Sequence, residues 1–105
     1  MLGDAQGLGA TLILPGETGR VFDQVGRAFH VTEVWVDHDP CFANSCRVVR
    51  LEVDGRTLLA VGKVRTRVIR AHFSLKAGQT VSVFVENIGI EPFQVYGLLL
   101  GEGGP

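Results

Sequence analysis

The sequence contains little of several residue types on which particular functions depend. Its 105 residues include one methionine, one tryptophan, one tyrosine and two cysteines. A blue-copper site needs a cysteine, two histidines and usually a methionine, and Met1 is the only methionine, so that class is disfavoured. The formal net charge is −1, so no strong attraction to nucleic acid or anionic lipid is expected. No apolar stretch approaches the roughly 20 residues of a membrane-spanning helix, and we expect no membrane partner.

Motifs typical of catalysis are also missing from the sequence. There is no Gly-x-Ser-x-Gly elbow, and Ser45, Ser74 and Ser82 have no base beside them along the chain. The three histidines are scattered, which does not match the histidine-rich barrel strands of a cupin. We therefore predict a protein that is not an enzyme, with no catalytic residue and no cofactor.

The densest polar cluster is Asp37-His38-Asp39, followed by Cys41 and Cys46. It offers imidazole, carboxylate and thiolate, which are ligand types of zinc, but no second close pair of Cys or His accompanies it. We interpret the cluster as turn chemistry in a solvated loop, so no metal ligand is assigned. The spacing of the cysteines favours a loop disulfide, which would stabilise the fold by roughly 2 kcal/mol; two free thiols are the alternative.

A row of basic residues, Lys63, Arg65 and Arg67, alternates in the sequence as residues on one face of a strand would. A basic groove with stacking aromatics can bind single-stranded nucleic acid. The near-neutral charge and the scarcity of aromatics favour a solvated sheet face or a protected sheet edge instead. We expect no nucleic-acid partner.

Turn residues recur about every eight to twelve positions, which is typical of an all-β protein, and no segment has a helical period. Asp54-Gly55 predicts a type I′ hairpin, because both residues tolerate positive φ. A phase change within residues 28–36 predicts a β-bulge near Thr32-Glu33. Alternation within residues 47–53 places Val49, Leu51 and Val53 inward. The predicted strands span residues 10–14, 20–24, 28–36, 47–53, 57–61, 67–73, 80–86 and 93–100.

This number of strands predicts one domain, residues 1–105, built as an antiparallel two-sheet β-sandwich of jelly-roll type. Residues 1–8 and 102–105 are predicted to be flexible tails. An immunoglobulin-like sandwich is the alternative, since Trp35 could take the place of its core tryptophan. The two cysteines, however, are too close together for the inter-sheet bridge of that fold.

The last two predicted strands carry the most informative pattern in the chain. In the strand 80–86, Val81, Val83 and Val85 share one face, and Phe84 lies on the other. The last strand has one face with Phe93, Val95 and Leu99, and a second with Tyr96, Leu98 and Leu100. A strand that is apolar on both faces must be covered on both. We therefore predict one interface patch, buried by another copy of the chain or by a partner, that consists of Phe84, Tyr96, Leu98 and Leu100.

The segment from Ser74 to Val83, Ser-Leu-Lys-Ala-Gly-Gln-Thr-Val-Ser-Val, resembles the penultimate hairpin of many small β-sandwich domains. In such domains a turn leads into an alternating strand, and a final apolar strand follows. From Ala28 onward the pattern is similar to that of jelly-roll domains in bacteriophage capsid, decoration and fibre-associated proteins, and to extracellular binding modules. The resemblance implies a structural or interaction role and transfers no binding residues.

Among these classes we favour a virion subunit that assembles with itself and with other virion proteins. The N-terminus lacks the basic start and apolar run of a signal peptide, so we expect synthesis in the host cytoplasm and a virion location. The alternative location is extracellular. In the alternative function, Trp35, Phe42 and the cysteine loop bind carbohydrate or another ligand. A metal-binding protein that uses residues 37–46 is the second alternative.

Overall fold

The computed structural model describes residues 4–39, 46–60 and 68–103. Within these ranges the chain forms β-strands and no helix, which confirms the predicted all-β class. The described part of the chain consequently has no helix with the length and hydropathy to cross a bilayer. The strands are β1 (Asp4–Ile13), β2 (Thr18–Gln24), β3 (Phe29–Asp39), β4 (Cys46–Val53), β5 (Arg56–Ala60), β6 (Val68–Leu75), β7 (Thr80–Asn87) and β8 (Phe93–Gly103).

The strands form two antiparallel four-stranded sheets that pack against each other. Sheet A has the order β1-β8-β3-β6, and sheet B has the order β2-β7-β4-β5. The first strand thus pairs with the last, the second with the seventh, the third with the sixth and the fourth with the fifth, as though one long hairpin had been rolled up. This is the strand order of a jelly roll, so the predicted two-sheet sandwich and its topology are confirmed.

The core lies between the sheets and consists almost entirely of aliphatic side chains. Its β7 contribution is Val81, Val83 and Val85, and its β8 contribution includes Phe93, Val95 and Leu99, all of them at most 1 % exposed. Both sets agree with the alternation in the sequence. Because a slip of one residue would turn each set to the outside, burial of these side chains fixes the register of both strands.

Local backbone features agree with two further predictions. Asp54 and Gly55 have φ angles of 50° and 80°, as a type I′ turn between β4 and β5 requires. The register of β3 shifts between Val31 and Glu33 against both of its neighbours. The hairpin and the bulge near Thr32-Glu33 are therefore confirmed.

A bulge in β4 corrects the predicted inward set of that strand. The register against β7 shifts between Val48 and Arg50, which makes Val49 the extra residue of the ladder. Val48 and Leu51 are fully buried, whereas Val49 is only partly buried. The prediction that Val49 faces the core is wrong, because strict alternation assumes an unbroken ladder.

The predicted flexible tails are strands wherever they are described. β1 begins at Asp4 and pairs with β8, and β8 extends to Gly103. The prediction is therefore wrong for residues 4–8 and 102–103, and the remaining tail residues lie outside the described ranges. The glycines of β1 remove the side-chain pattern that marks a strand, but pairing needs only backbone groups, and Leu8 is buried beneath the ladder.

Candidate interaction surface

The outward side of sheet A carries apolar side chains that the core does not cover. Antiparallel partners point to the same side of a sheet, and the pairs Trp35↔Leu98 and Asp37↔Tyr96 bring side chains of β3 and β8 together there. Tyr96 is 43 % and Trp35 45 % exposed, and Leu98 is partly buried. We call this outward side the sheet A face, and its members used below are Gly7, Glu33, Trp35, Asp37, Val68, Tyr96, Leu98 and Leu100.

A shallow cleft opens at the centre of the sheet A face. It has a volume of about 440 Å³ and is lined by Trp35, Val36, Asp37, Val68, Tyr96, Gly97 and Leu98. The indole Nε1 of Trp35 donates a hydrogen bond to Oε2 of Glu33 at 2.8 Å, so the polar atom of the ring is satisfied within the chain. The ring therefore offers chiefly its apolar surface to a partner.

Phe84 lies on the other sheet, so the predicted four-residue interface is divided. Its position in β7 pairs with Arg20 of β2 and Arg50 of β4. The guanidinium carbon of Arg50 lies 3.8 Å from the centroid of the Phe84 ring, which is a cation–π contact. The prediction of one patch is wrong for Phe84, because β7 and β8 belong to different sheets.

The structure does bring the other three predicted residues together. Tyr96, Leu98 and Leu100 alternate with the buried residues of β8, and all three lie on the sheet A face beside Trp35 and Glu33. Leu100 is partly buried, like Leu98. Their burial by a partner stays a prediction.

The outward side of sheet B is charged, and much of its charge is paired within the chain. Arg47 forms an ion pair with Glu86, and Nε of Arg50 lies 2.6 Å from Oε2 of Glu52. Partly exposed pairs of this kind stabilise a fold by about 1 kcal/mol or less. These pairs make this side more polar than the sheet A face, although Phe22, whose ring lies beneath Arg20, is 46 % exposed there.

The Asp37-His38-Asp39 segment, predicted to be a solvated loop, is part of β3. His38 points inward, is 2 % exposed and stacks on Phe93 with 4.6 Å between the ring centroids. Asp37 shares the outward side with Tyr96. Alternation along the strand thus separates the imidazole from the preceding carboxylate, and the described residues contain no group of three His, Cys, Asp or Glu that could hold a metal ion.

Several residues named from the sequence lie outside the described ranges, namely Cys41, Phe42, Lys63, Arg65 and Arg67. Cys46 is described: it begins β4, is partly buried and packs against the core. The Cys41–Cys46 disulfide therefore stays a prediction. The same holds for a ligand role of Phe42.

A serine–histidine contact lies on the outward side of sheet A, near the start of β3. Oγ of Ser74 is 3.0 Å from Nδ1 of His30, and the ring centroids of His30 and His72 are 6.0 Å apart. The sequence does not reveal this neighbour of Ser74 because the two residues are 44 positions apart. Catalysis by such a serine also needs hydrogen-bond donors that stabilise an oxyanion, and all three side chains are solvent-exposed. The geometry favours a surface hydrogen bond.

The chain matches no protein-family model, and a search of curated proteins finds no similar sequence. No family therefore assigns a role to any of these residues.

Proposed function

We propose that this protein is a non-enzymatic structural subunit that associates with copies of itself through the sheet A face. One observation carries the proposal. The outward side of β8 presents Tyr96, Leu98 and Leu100 beside Trp35, on a sheet whose inward side is already filled by the core. Contiguous exposed apolar patches on small proteins mark interaction surfaces.

The sheet A face is large enough for a stable contact. Four strands about 4.8 Å apart, each with about eight residues of 3.3 Å, span roughly 19 by 26 Å, or about 500 Å² before the relief of the side chains is added. A standard interface buries about 800 Å² of accessible surface per partner. The area of one face of this sheet is therefore of the same order as the area that a standard interface buries per partner.

The expected affinity is modest. Four partly exposed side chains in each protomer contribute roughly 1 kcal/mol apiece when they are buried, or about 8 kcal/mol for a symmetric pair. The lost freedom of two associating proteins costs about 4–15 kcal/mol. Pairwise association is therefore concentration-dependent, and contacts with further subunits would strengthen it by avidity.

The architecture supports placing this association in a larger particle. Jelly rolls are common in viral capsid proteins and also occur in lectins. Together with the resemblance to bacteriophage jelly-roll domains, this favours a virion subunit made in the host cytoplasm. Other virion proteins are then its further partners.

The solution mass of two variants tests the proposal. Leu98→Asp places a carboxylate at the centre of the sheet A face. Phe84→Asp is the matched control on sheet B, where Arg20 and Arg50 can pair with the new charge. Light scattering over a micromolar to millimolar series should show association of the wild type and Phe84→Asp, and a monomer for Leu98→Asp, with the β-sheet circular dichroism spectrum retained in all three.

A wild-type chain that stays monomeric at millimolar concentration would contradict the proposal. So would a folded Leu98→Asp variant that associates like the wild type. If Phe84→Asp alone dissociates, the interface is on sheet B and the assignment of the sheet A face is wrong.

A second candidate function, carbohydrate binding, is favoured by the exposure of Trp35. Aromatic rings that stack on sugars lie exposed on sheet faces, and Trp35 and Tyr96 line the same cleft. Because Trp35 is the only tryptophan, its fluorescence reports directly on this cleft. Titration with a panel of oligosaccharides should leave the emission unchanged if the face binds protein, and a saturable change would favour the lectin-like function.

A further inference from the structure

On the sheet A face, the two strands beside β8 differ in the size of their side chains. The pairs Gly7↔Leu98 and Trp35↔Leu98 place Gly7, Leu98 and Trp35 in one row across β1, β8 and β3. Trp35 carries a large side chain that is 45 % exposed on the β3 side. Gly7 has no side chain, and a Cβ built on it would meet nothing within 4 Å. The row thus has a bulky side chain at its β3 end and an open position at its β1 end.

Resting on the proposed function, we infer that two copies pack face to face about a two-fold axis that runs along β8. Such an axis lies in the plane of the interface and is parallel to the strands. It exchanges the β1 side with the β3 side, and each residue keeps its position along the strand direction. It therefore seats Trp35 of each copy on the open position at Gly7 of the other, with Leu98 of both copies at the axis. The contact is isologous, as a two-fold requires.

Shape selects this axis over the other in-plane axis. A two-fold perpendicular to the strands would lay β3 on β3 and β1 on β1, so that the exposed ring of Trp35 meets the same ring of the other copy and Gly7 faces Gly7 across a gap. Well-packed interfaces leave no such gaps. The axis along β8 instead brings Trp35 over Gly7 on the β1 side, where there is space for the ring. Stacked sheets cross at about 30°, and the contacts in the central row survive such a rotation because they lie near the axis.

Gly7 provides the test, because the protomer has room for a Cβ at this position. Its φ lies outside the positive range that favours glycine, and its Cβ position is open. We choose Gly7→Leu, which adds apolar bulk and no charge. Gly26→Leu is the matched control, since Gly26 lies in an exposed bend between β2 and β3 and is equally open.

The expected result is that Gly7→Leu raises the dissociation constant of the wild-type pair by at least tenfold, while Gly26→Leu leaves it unchanged. Light scattering gives the constant. The emission of Trp35 gives a second readout: it should shift to shorter wavelength as the wild type associates, and this shift should move to higher concentration in Gly7→Leu.

The outcomes separate this inference from the proposed function. Association that is lost in Leu98→Asp but unchanged in Gly7→Leu overturns the two-fold along β8 and leaves the sheet A face as the interface. Association unchanged in both variants overturns the interface itself. A wild type that never associates overturns the proposed function and this inference together.

Discussion

Replacement of Asn87 by alanine should destabilise the fold strongly. Asn87 ends β7 and is fully buried. Its Nδ2 donates to the carbonyl of Ile13 at 3.0 Å and to that of Glu91 at 2.8 Å, and its Oδ1 accepts from the backbone N–H of Gly89 at 2.9 Å. One side chain thus joins the end of β1 to the loop that leads into β8, the strand on which the sheet A face depends.

The size of the loss follows from where the three bonds lie. The bond to Ile13 is buried, so its carbonyl would lose its partner at a cost of about 1–3 kcal/mol. The bonds to Glu91 and Gly89 are partly exposed, and water can replace each at a loss of about 0.5–1 kcal/mol. The sum is about 3 kcal/mol, a large part of the 5–15 kcal/mol typical of a domain. For a chain of this size it corresponds to a fall in Tm of roughly 12–20 °C.

Urea unfolding followed by circular dichroism measures this difference. Gln79→Ala is the matched control, because its amide makes two bonds, to Asp54 and with the N–H of Lys76, but on the exposed surface. It should lose less than about 1 kcal/mol. Asn87→Asp should be at least as destabilising as Asn87→Ala at neutral pH, since a carboxylate cannot donate to two carbonyls. A loss below about 1 kcal/mol for Asn87→Ala would refute the reasoning.

Three further predictions concern single contacts. Gly101→Ala should cost about 3 kcal/mol or more in urea unfolding, because its Cβ would lie 1.9 Å from the carbonyl oxygen of His30; a stable variant would mean that β3 and β8 are further apart. A double-mutant cycle between Arg50 and Phe84 should give a coupling of about 1 kcal/mol, and a coupling of zero would show that the cation does not shield the ring. A fluorophosphonate probe should leave Ser74 unlabelled, whereas labelling that mass spectrometry assigns to Ser74 would indicate a hydrolase.

Strand positions could be predicted because their signals are local. Asp54-Gly55 marks a turn by its tolerance of positive φ, and alternation such as that of Val81, Val83 and Val85 marks a strand with one buried face. Prediction of strand positions and buried faces failed where glycines or a bulge interrupt the alternation of side chains. The glycines of β1 conceal the part of that strand that precedes residue 10, and the bulge at Val49 breaks the expected alternation in β4.

The candidate surface could be predicted only in part, because it depends on which strands share a sheet. Alternation within β8 correctly separates Phe93, Val95 and Leu99 from Tyr96 and its outward neighbours. It gives no information on β7, which precedes β8 in the chain but lies in the opposite sheet. Proximity along the chain therefore suggested one patch that the jelly-roll order divides. The contact of His30 with Ser74 was missed for the same reason.

An outward apolar side chain needs a partner only if its own cross-strand neighbours fail to cover it. Phe84 lies between Arg20 and Arg50, and a long side chain such as Arg50 can lay its guanidinium over the ring while its charge stays in water. Leu98 lies between Gly7 and Trp35. A glycine covers nothing, and the tryptophan adds its own apolar surface. The two positions look alike in the sequence, yet Phe84 is shielded within the chain. Leu98 is the one that loses more water-exposed apolar surface when a neighbouring molecule fills the gap at Gly7.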